Sequence, residues 1–172
     1  GASLVVDVID DDASGDIAHV VTAPLPVGAA VRGEIAAARR ADHMQQHTGQ
    51  HVLSAAFDRV LAAPTVSFHM GADVSTIDLA RDVTAAEIAT AETEANRVAW
   101  EDRPVTVRFV SSDEAASLPL RKPPKRAGEL RLVDVADFDL SACGGTHVAS
   151  TGRIGLIAVT GWERFKGGTR VS

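Results

Sequence analysis

One cysteine, Cys143, stands in a chain of 172 residues. A disulfide framework within the molecule is therefore excluded. No stretch approaches the roughly 18–20 uncharged apolar residues of a membrane span, so no membrane partner is expected and a cytoplasmic location fits best. The opening GASLVV has neither an initiating Met nor the basic-then-apolar pattern of a secretory signal. The expectation is a fragment of a longer protein with GAS as a scar. Basic residues are the minority, 17 Lys and Arg against 23 Asp and Glu for a net charge of −6, which argues against a general nucleic-acid coat protein, since phosphate contacts need a basic surface. Internal repeats and low-complexity tracts are also missing.

What is there suits a globular protein. The chain is 45% hydrophobic and 23% charged, enough to bury a core, and its length predicts one main domain with room for a small appendage. Charge is segregated: acids crowd DVIDDDASGD (7–16), while bases gather at ARR (38–40), RKPPKR (121–126) and ERFKGGTR (163–170). Each basic run alone reads as a solvated face. Three of them in an acidic chain point to an anionic partner held in a defined groove.

The hydrophobic periods predict an α+β fold. LVVDVID (4–10), DIAHVVTA (16–23) and AAVRGEIA (29–36) read as short strands between turn residues, a small β unit over 1–37 that is too slight to stand alone. From residue 42 the period becomes helical, with Asp42 as N-cap, Gln45 three places on, and Pro64 as the stop. TVSFHMG (65–71) and DVSTIDLA (73–80) read as a hairpin. A second helix begins at a Thr84/Glu87 capping box and carries Ile88, Ala91, Ala95 and Val98 as its apolar stripe. Strands over 104–112 and 129–140, a short helix at 113–118 and a closing strand pair over 152–172 complete an antiparallel sheet packed with two main helices, residues 38–172 forming one domain.

The chemistry starts in the first helix. HTGQH places His47 and His51 at i and i+4, on one face and about one turn apart, as two ligands of one metal require. The bland alternative is a pair of buried imidazoles satisfied by carbonyls. Gly49 between them costs about 1 kcal/mol relative to Ala in a helix interior, which suggests close approach of a ligand there. CGGTH (143–147) supplies a second pair, Cys143 and His147, on a segment whose Gly144–Gly145 step permits a tight turn. One thiolate with three imidazoles suits Zn2+ better than Mg2+ or Ca2+. A Cys–His nucleophilic dyad is the rival reading, but it leaves the paired helix histidines unexplained.

RRADHMQQHTGQHVLSAAF (39–57), SFHMGADVSTIDL (67–79) and DFDLSACGGTHVASTGRIG (137–155) resemble the alanyl-tRNA editing proteins, the AlaX family, and the related editing domain of alanyl-tRNA synthetases; the editing region of threonyl-tRNA synthetases is more distantly similar. The resemblance runs from about residue 38 to the end. It implies a zinc-containing deacylase that hydrolyses the ester joining serine, and sometimes glycine, to alanine tRNA, with His47, His51, Cys143 and His147 as metal ligands and the tRNA acceptor stem as partner. It also implies that residues 1–37 are part of a small N-terminal β-barrel. The glycine-rich GGGQ-like element that precedes the zinc helix in barrel-bearing relatives is not found, and His69 stands where many synthetase editing domains have Gln.

An aminoacyl ester is already activated, so its hydrolysis needs a positioned water, polarisation and a screen against the correct substrate. Thr48, His69 and Asp78 are the catalytic candidates, with His69 orienting a water. Ser75, Thr76 and the Gly144 and Gly145 amides are placed at the aminoacyl group and its carbonyl, and Arg121 and Lys122 at the tRNA. Each of these polar residues also has a plain reading as a cap, turn or solvated group. Two alternatives stay open: a zinc-stabilised tRNA-binding or structural module without hydrolysis, and a zinc hydrolase for another ester.

Overall fold

The computed structural model of the chain describes residues 2–11, 15–71, 73–123 and 128–172. Two compact units emerge, Gly1–Ile35 and Ala36–Ser172. The first is an antiparallel hairpin of β1 (Val5–Asp11) and β2 (Asp16–Val21). Its apolar residues Val6, Val8 and Ile17 are all exposed. The strand expected over 29–36 does not form, because its Gly33 and scattered apolar residues meet no partner edge, and no closed barrel is found among the described residues.

In the second unit α1 (Ala37–Leu61) begins five residues before the predicted N-cap. Ala36 occupies that cap without a side-chain hydrogen bond. The reason is propensity: Ala37, Ala38, Arg39, Arg40 and Ala41 are strong helix formers, so the helix propagates through Asp42. Its C-terminus follows the expected stop. Ala62 turns left-handed at φ 48°, and its N–H donates to the Asp58 carbonyl at 2.9 Å two residues ahead of Pro64, the five-to-one bond of an αL end.

The hairpin of β3 (Thr65–Met70) and β4 (Ser75–Leu79) is as predicted, and α2 (Ala85–Trp100) starts at the predicted capping box. There the Thr84 N–H donates to Glu87 Oε2 at 2.8 Å and the Glu87 N–H to Thr84 Oγ1 at 3.3 Å. Next come β5 (Val105–Ser111) and α3 (Ser112–Ala116). The segment read as one strand over 129–140 is two, β6 (Glu129–Val135) and β7 (Asp139–Ala142), reversed by a turn in which Asp137 takes φ 58°. Asp tolerates that left-handed region better than most side chains. Residues 151–154 form a 3-10 turn rather than a strand, and β8 (Trp162–Phe165) and β9 (Gly168–Val171) close the chain around Lys166 and Gly167, both at positive φ.

The strands of the second unit make two antiparallel sheets where one was expected, in the orders β3-β4-β9-β8 and β5-β6-β7. Between them and the two long helices lies one core. Phe57 and Val52 of α1, the predicted stripe of Ile88, Ala91, Ala95 and Val98 from α2, Ile77 and Leu79 from β4, and Val133 and Val135 from β6 are buried together. A smaller cluster, Val110, Ala115, Leu130 and Leu132, seats α3 on the three-stranded sheet. At about 25 cal/mol per Å2 of apolar surface, the main core is the dominant stabilising contribution. It fixes α1 against β7, and the site depends on that contact.

Candidate metal centre

Ligand atoms of His47, His51, Cys143 and His147 all lie within 4.8 Å of one another. The two predicted pairs thus meet. From α1, His47 and His51 arrive one turn apart with ring centroids 5.1 Å apart. From the other side, the ladder of β6 and β7 runs on to Cys143, whose N–H donates to the Arg131 carbonyl at 3.0 Å. The Arg131 guanidinium then donates to the carbonyls of Cys143 and Gly145 at 2.7 and 2.8 Å, pinning the CGGTH turn. A Cβ at Gly145 would overlap the His47 ring. Here glycine is required by close approach, where the sequence suggested only a tight turn. Gly49 is different: a Cβ there would meet only the side chains of Ile154 and Ile157, so helix packing accounts for it.

Two of the three histidines are oriented by a hydrogen-bonding neighbour. His51 Nδ1 lies 3.2 Å from Asp139 Oδ2, and that carboxylate also accepts from Arg121 Nε at 2.7 Å and from the Ser141 hydroxyl. His147 Nδ1 lies 3.2 Å from Thr48 Oγ1. Since the Thr48 hydroxyl donates to the Met44 carbonyl at 2.7 Å and accepts from the Val148 N–H at 3.1 Å, the imidazole must be the donor to it. Both rings therefore turn Nε2 toward the centre, His47 does the same, and His47 Nε2 and His147 Nε2 sit 3.4 and 3.5 Å from Cys143 Sγ. The Phe68 ring stacks on His47 at 6.0 Å between centroids.

Charge follows geometry. Burial works against a thiolate at Cys143, yet the hydrogen bonds of His147, His47 and His51 and the Gly145 amide bring its pKa down to about 3. His51 is pushed down by burial, but Asp139 and Cys143 outweigh this and raise it. Asp139 is held below the usual carboxylate range by His51 and Arg121 although burial opposes it, and His147 is lowered, first by burial. One thiolate and three imidazoles, with the nitrogens already turned inward, can hold a metal ion.

Two clefts border this part of the molecule. One, of about 970 Å3, is lined by His51, Cys143, Gly144, Arg121, Lys122 and Arg131, among others. The other, of about 380 Å3, contains Ser75 and Thr76 with Gln45, Gly49 and Ile157, and none of the four Cys/His residues line it. Thr48 touches the centre through His147. Asp78 instead binds Arg170 at 2.7 Å and accepts from the Ser67 hydroxyl at 2.6 Å. His69 follows Phe68 in β3, so strand alternation sends it to the opposite face, across from Thr76. Arg121 holds Asp139, while Arg164 and Arg170 hold Asp82 and Asp78. Lys125 and Arg126 lie outside the described residues.

Sequence reasoning missed Asp139, Ser141 and Arg131. A signal was available for the first two, because 139 and 141 alternate along β7 and Cys143 follows just past its end at the same spacing.

Residues 130–172 match the family described as threonyl and alanyl tRNA synthetase second additional domain. The chain is 34% identical over 155 residues to the alanyl-tRNA editing protein Aarsd1 of Danio rerio, covering 88% of this chain and 38% of that protein. With alanyl-tRNA editing protein AlaX-L of Pyrococcus horikoshii the identity is 37% over 122 residues, 70% of this chain and 30% of the relative. With an alanine–tRNA ligase of Pyrococcus abyssi it is 35% over 162 residues, 88% of this chain and 18% of the ligase. The chain thus spans less than two fifths of the length of these curated relatives. Over most of its residues, Cys/His centre included, this chain is a relative of the alanyl-tRNA editing proteins, as the motifs led us to expect.

Proposed function

We propose that this chain is a zinc-dependent deacylase that acts in trans on mischarged aminoacyl-tRNA in the cytoplasm, removing serine, and the smaller glycine, from alanine tRNA. The observation that carries the reading is the convergence of His47, His51, Cys143 and His147, two of which, His51 and Cys143, line a cleft of about 970 Å3. The donors fit zinc. With Zn–S of about 2.3 Å and Zn–N of about 2.05 Å, tetrahedral ligands stand roughly 3.6 Å apart, and the two sulfur-to-nitrogen separations are 3.4 and 3.5 Å. Similarity to proteins named for alanyl-tRNA editing supports the substrate class.

In the reaction, water adds to the ester carbonyl, the bond to the ribose oxygen breaks, the amino acid leaves with a free carboxyl group, and the ribose oxygen takes up a proton to become a hydroxyl. Zinc bound by the four residues would supply polarisation or oriented binding of the ester. The chain's own groups do the rest. Asp139 and Thr48 keep His51 and His147 in the tautomers that present Nε2, and Arg131 holds the turn that carries Cys143. The Gly145 amide is engaged by Cys143 Sγ at 3.4 Å, so the Gly144 amide, on the cleft wall, is the group left to face the carbonyl oxygen. Lys122 and Arg131 give the cleft wall a positive side for the acceptor end.

A second reading has its own observation: four protein donors complete a tetrahedral shell, the mark of a structural site. Deacylation decides between them. Zinc-loaded protein should release serine from seryl-tRNA(Ala) far faster than the spontaneous rate and spare alanyl-tRNA(Ala), and Cys143→Ala should abolish the difference. Decay at the spontaneous rate by folded, zinc-loaded protein would leave the structural module standing.

A further inference from the structure

Two residues that line the cleft beside the Cys/His group each bury a polar atom that finds no partner among the described residues, Gln50 Oε1 and Thr65 Oγ1. Their residues are only 8% and 2% exposed, and both line the cleft of about 970 Å3 together with His51 and Cys143. A buried polar atom left unpaired costs about 1–3 kcal/mol. Two in one wall, next to the metal ligands, call for a ligand that satisfies them. Gln50 precedes His51 on α1, and its amide nitrogen is used by the Ser54 hydroxyl at 2.8 Å. The side chain is thereby fixed with its other end unfilled. Thr65 opens β3, the strand whose Phe68 stacks on His47.

The chemistry of the pair selects the ligand. An amide oxygen accepts, whereas a threonine hydroxyl both accepts and donates. A carboxylate could take Thr65 but would repel the Gln50 oxygen, and an ammonium would leave the Thr65 proton unused. A hydroxyl donates to one and accepts from the other. The hydroxyls favoured from the sequence are committed elsewhere, Thr48 by Met44, Val148 and His147, and Ser75 and Thr76 to the other cleft.

We propose that Gln50 and Thr65 form the polar pair that reads the side-chain hydroxyl of the mischarged amino acid, an assignment that rests on the deacylase reading. Serine fills the pair. Alanine sets a methyl group against two buried polar atoms and leaves both unpaired, the situation in which a hydrogen-bonding site rejects an analogue most strongly, by up to ~10⁴–10⁵. Gln50 and Thr65 touch the substrate's side chain and not its ester, so they set specificity.

The test uses the zinc-loaded chain with Thr65→Val, which removes the hydroxyl at nearly constant volume, Gln50→Leu, and Thr65→Ser, which keeps it. Rates at low substrate are measured on seryl- and glycyl-tRNA(Ala). The serine-to-glycine ratio of kcat/KM should fall about 10–100-fold in the first two variants and hold in the third. The thermal midpoint of Thr65→Val should be equal or higher, since an orphaned buried hydroxyl has gone. An unchanged ratio, or a loss shared equally by both esters, overturns the proposal. Should the parent protein cleave no ester, the deacylase reading fails by itself. Calorimetric titration with serylated and alanylated 3′-amino-3′-deoxyadenosine, amide mimics of the tRNA end, then still reports on the pair. At least tenfold preference for the serylated amide, lost in Thr65→Val, sustains it, and equal binding overturns it.

Discussion

An imidazole offers a metal one of two nitrogens, and which one is decided by whatever holds the other. In this chain Asp139 holds His51 and Thr48 holds His147, each through Nδ1. The Asp139 carboxylate is itself fixed by Arg121 and Ser141, a buried arrangement with Asp139 almost fully covered. Asp139→Asn keeps the shape of the side chain and removes its charge. Zinc affinity, measured by competition with a chromophoric chelator, should fall about 10–100-fold. The thermal midpoint of the metal-free variant, recorded alongside, separates this effect from lost packing: a lower midpoint with unchanged affinity would make Asp139 merely structural. The convergence of the four Cys/His residues was legible in the sequence because their spacing is itself the signal. Asp139 was not singled out, since an acidic residue in a strand is ordinarily solvated, and only its alternation with Ser141 and Cys143 sets it on the buried face.

At the scale of elements, local rules located most boundaries and failed where tertiary partners or strong propensity took over. The capping box of α2 and the Pro64 stop are encoded within a few residues. The start of α1 is not, because an alanine and arginine run carries the helix past Asp42. Pairing β4 with the C-terminal β9 is a contact between distant segments, and it brings two residues read as functional into one ion pair: Arg170 donates two hydrogen bonds to Asp78, at 2.7 and 3.0 Å. Arg170 first, then Ser67, lowers the Asp78 pKa against the pull of burial. A folded-state pKa below the unfolded one means stability that is present above the ordinary carboxylate range and is lost as pH falls through the lowered value. Thermal melts between about pH 6 and pH 2 should therefore show a steeper acid loss for the parent than for Asp78→Asn, with the two curves converging at the acid end. Parallel curves would remove Asp78 from the acid response.

The whole molecule carries a net charge of −6, so an anionic partner must be met by a local surface. Arg121, Arg164 and Arg170, three of the bases in the basic runs, pair with the carboxylates of Asp139, Asp82 and Asp78. Composition could not have revealed this, because a basic run looks the same whether its partner is a phosphate or a carboxylate brought in from another element. Lys122 stands on the wall of the cleft, and Lys125 and Arg126 follow it in sequence. If this segment meets the acceptor stem, each phosphate contact contributes about 0.7–0.9 to the slope of log K against log salt. Neutralising Lys122, Lys125 and Arg126 together should flatten that slope by up to about 2–3 and leave zinc content intact. Arg121→Ala should do the reverse, releasing Asp139 and weakening zinc while barely moving the slope. Binding of uncharged alanine tRNA titrated at several salt concentrations, with zinc assayed in the same samples, tells the two apart. A slope that the triple variant leaves unchanged would return the segment to plain solvation and send the search for the tRNA surface to other parts of the chain.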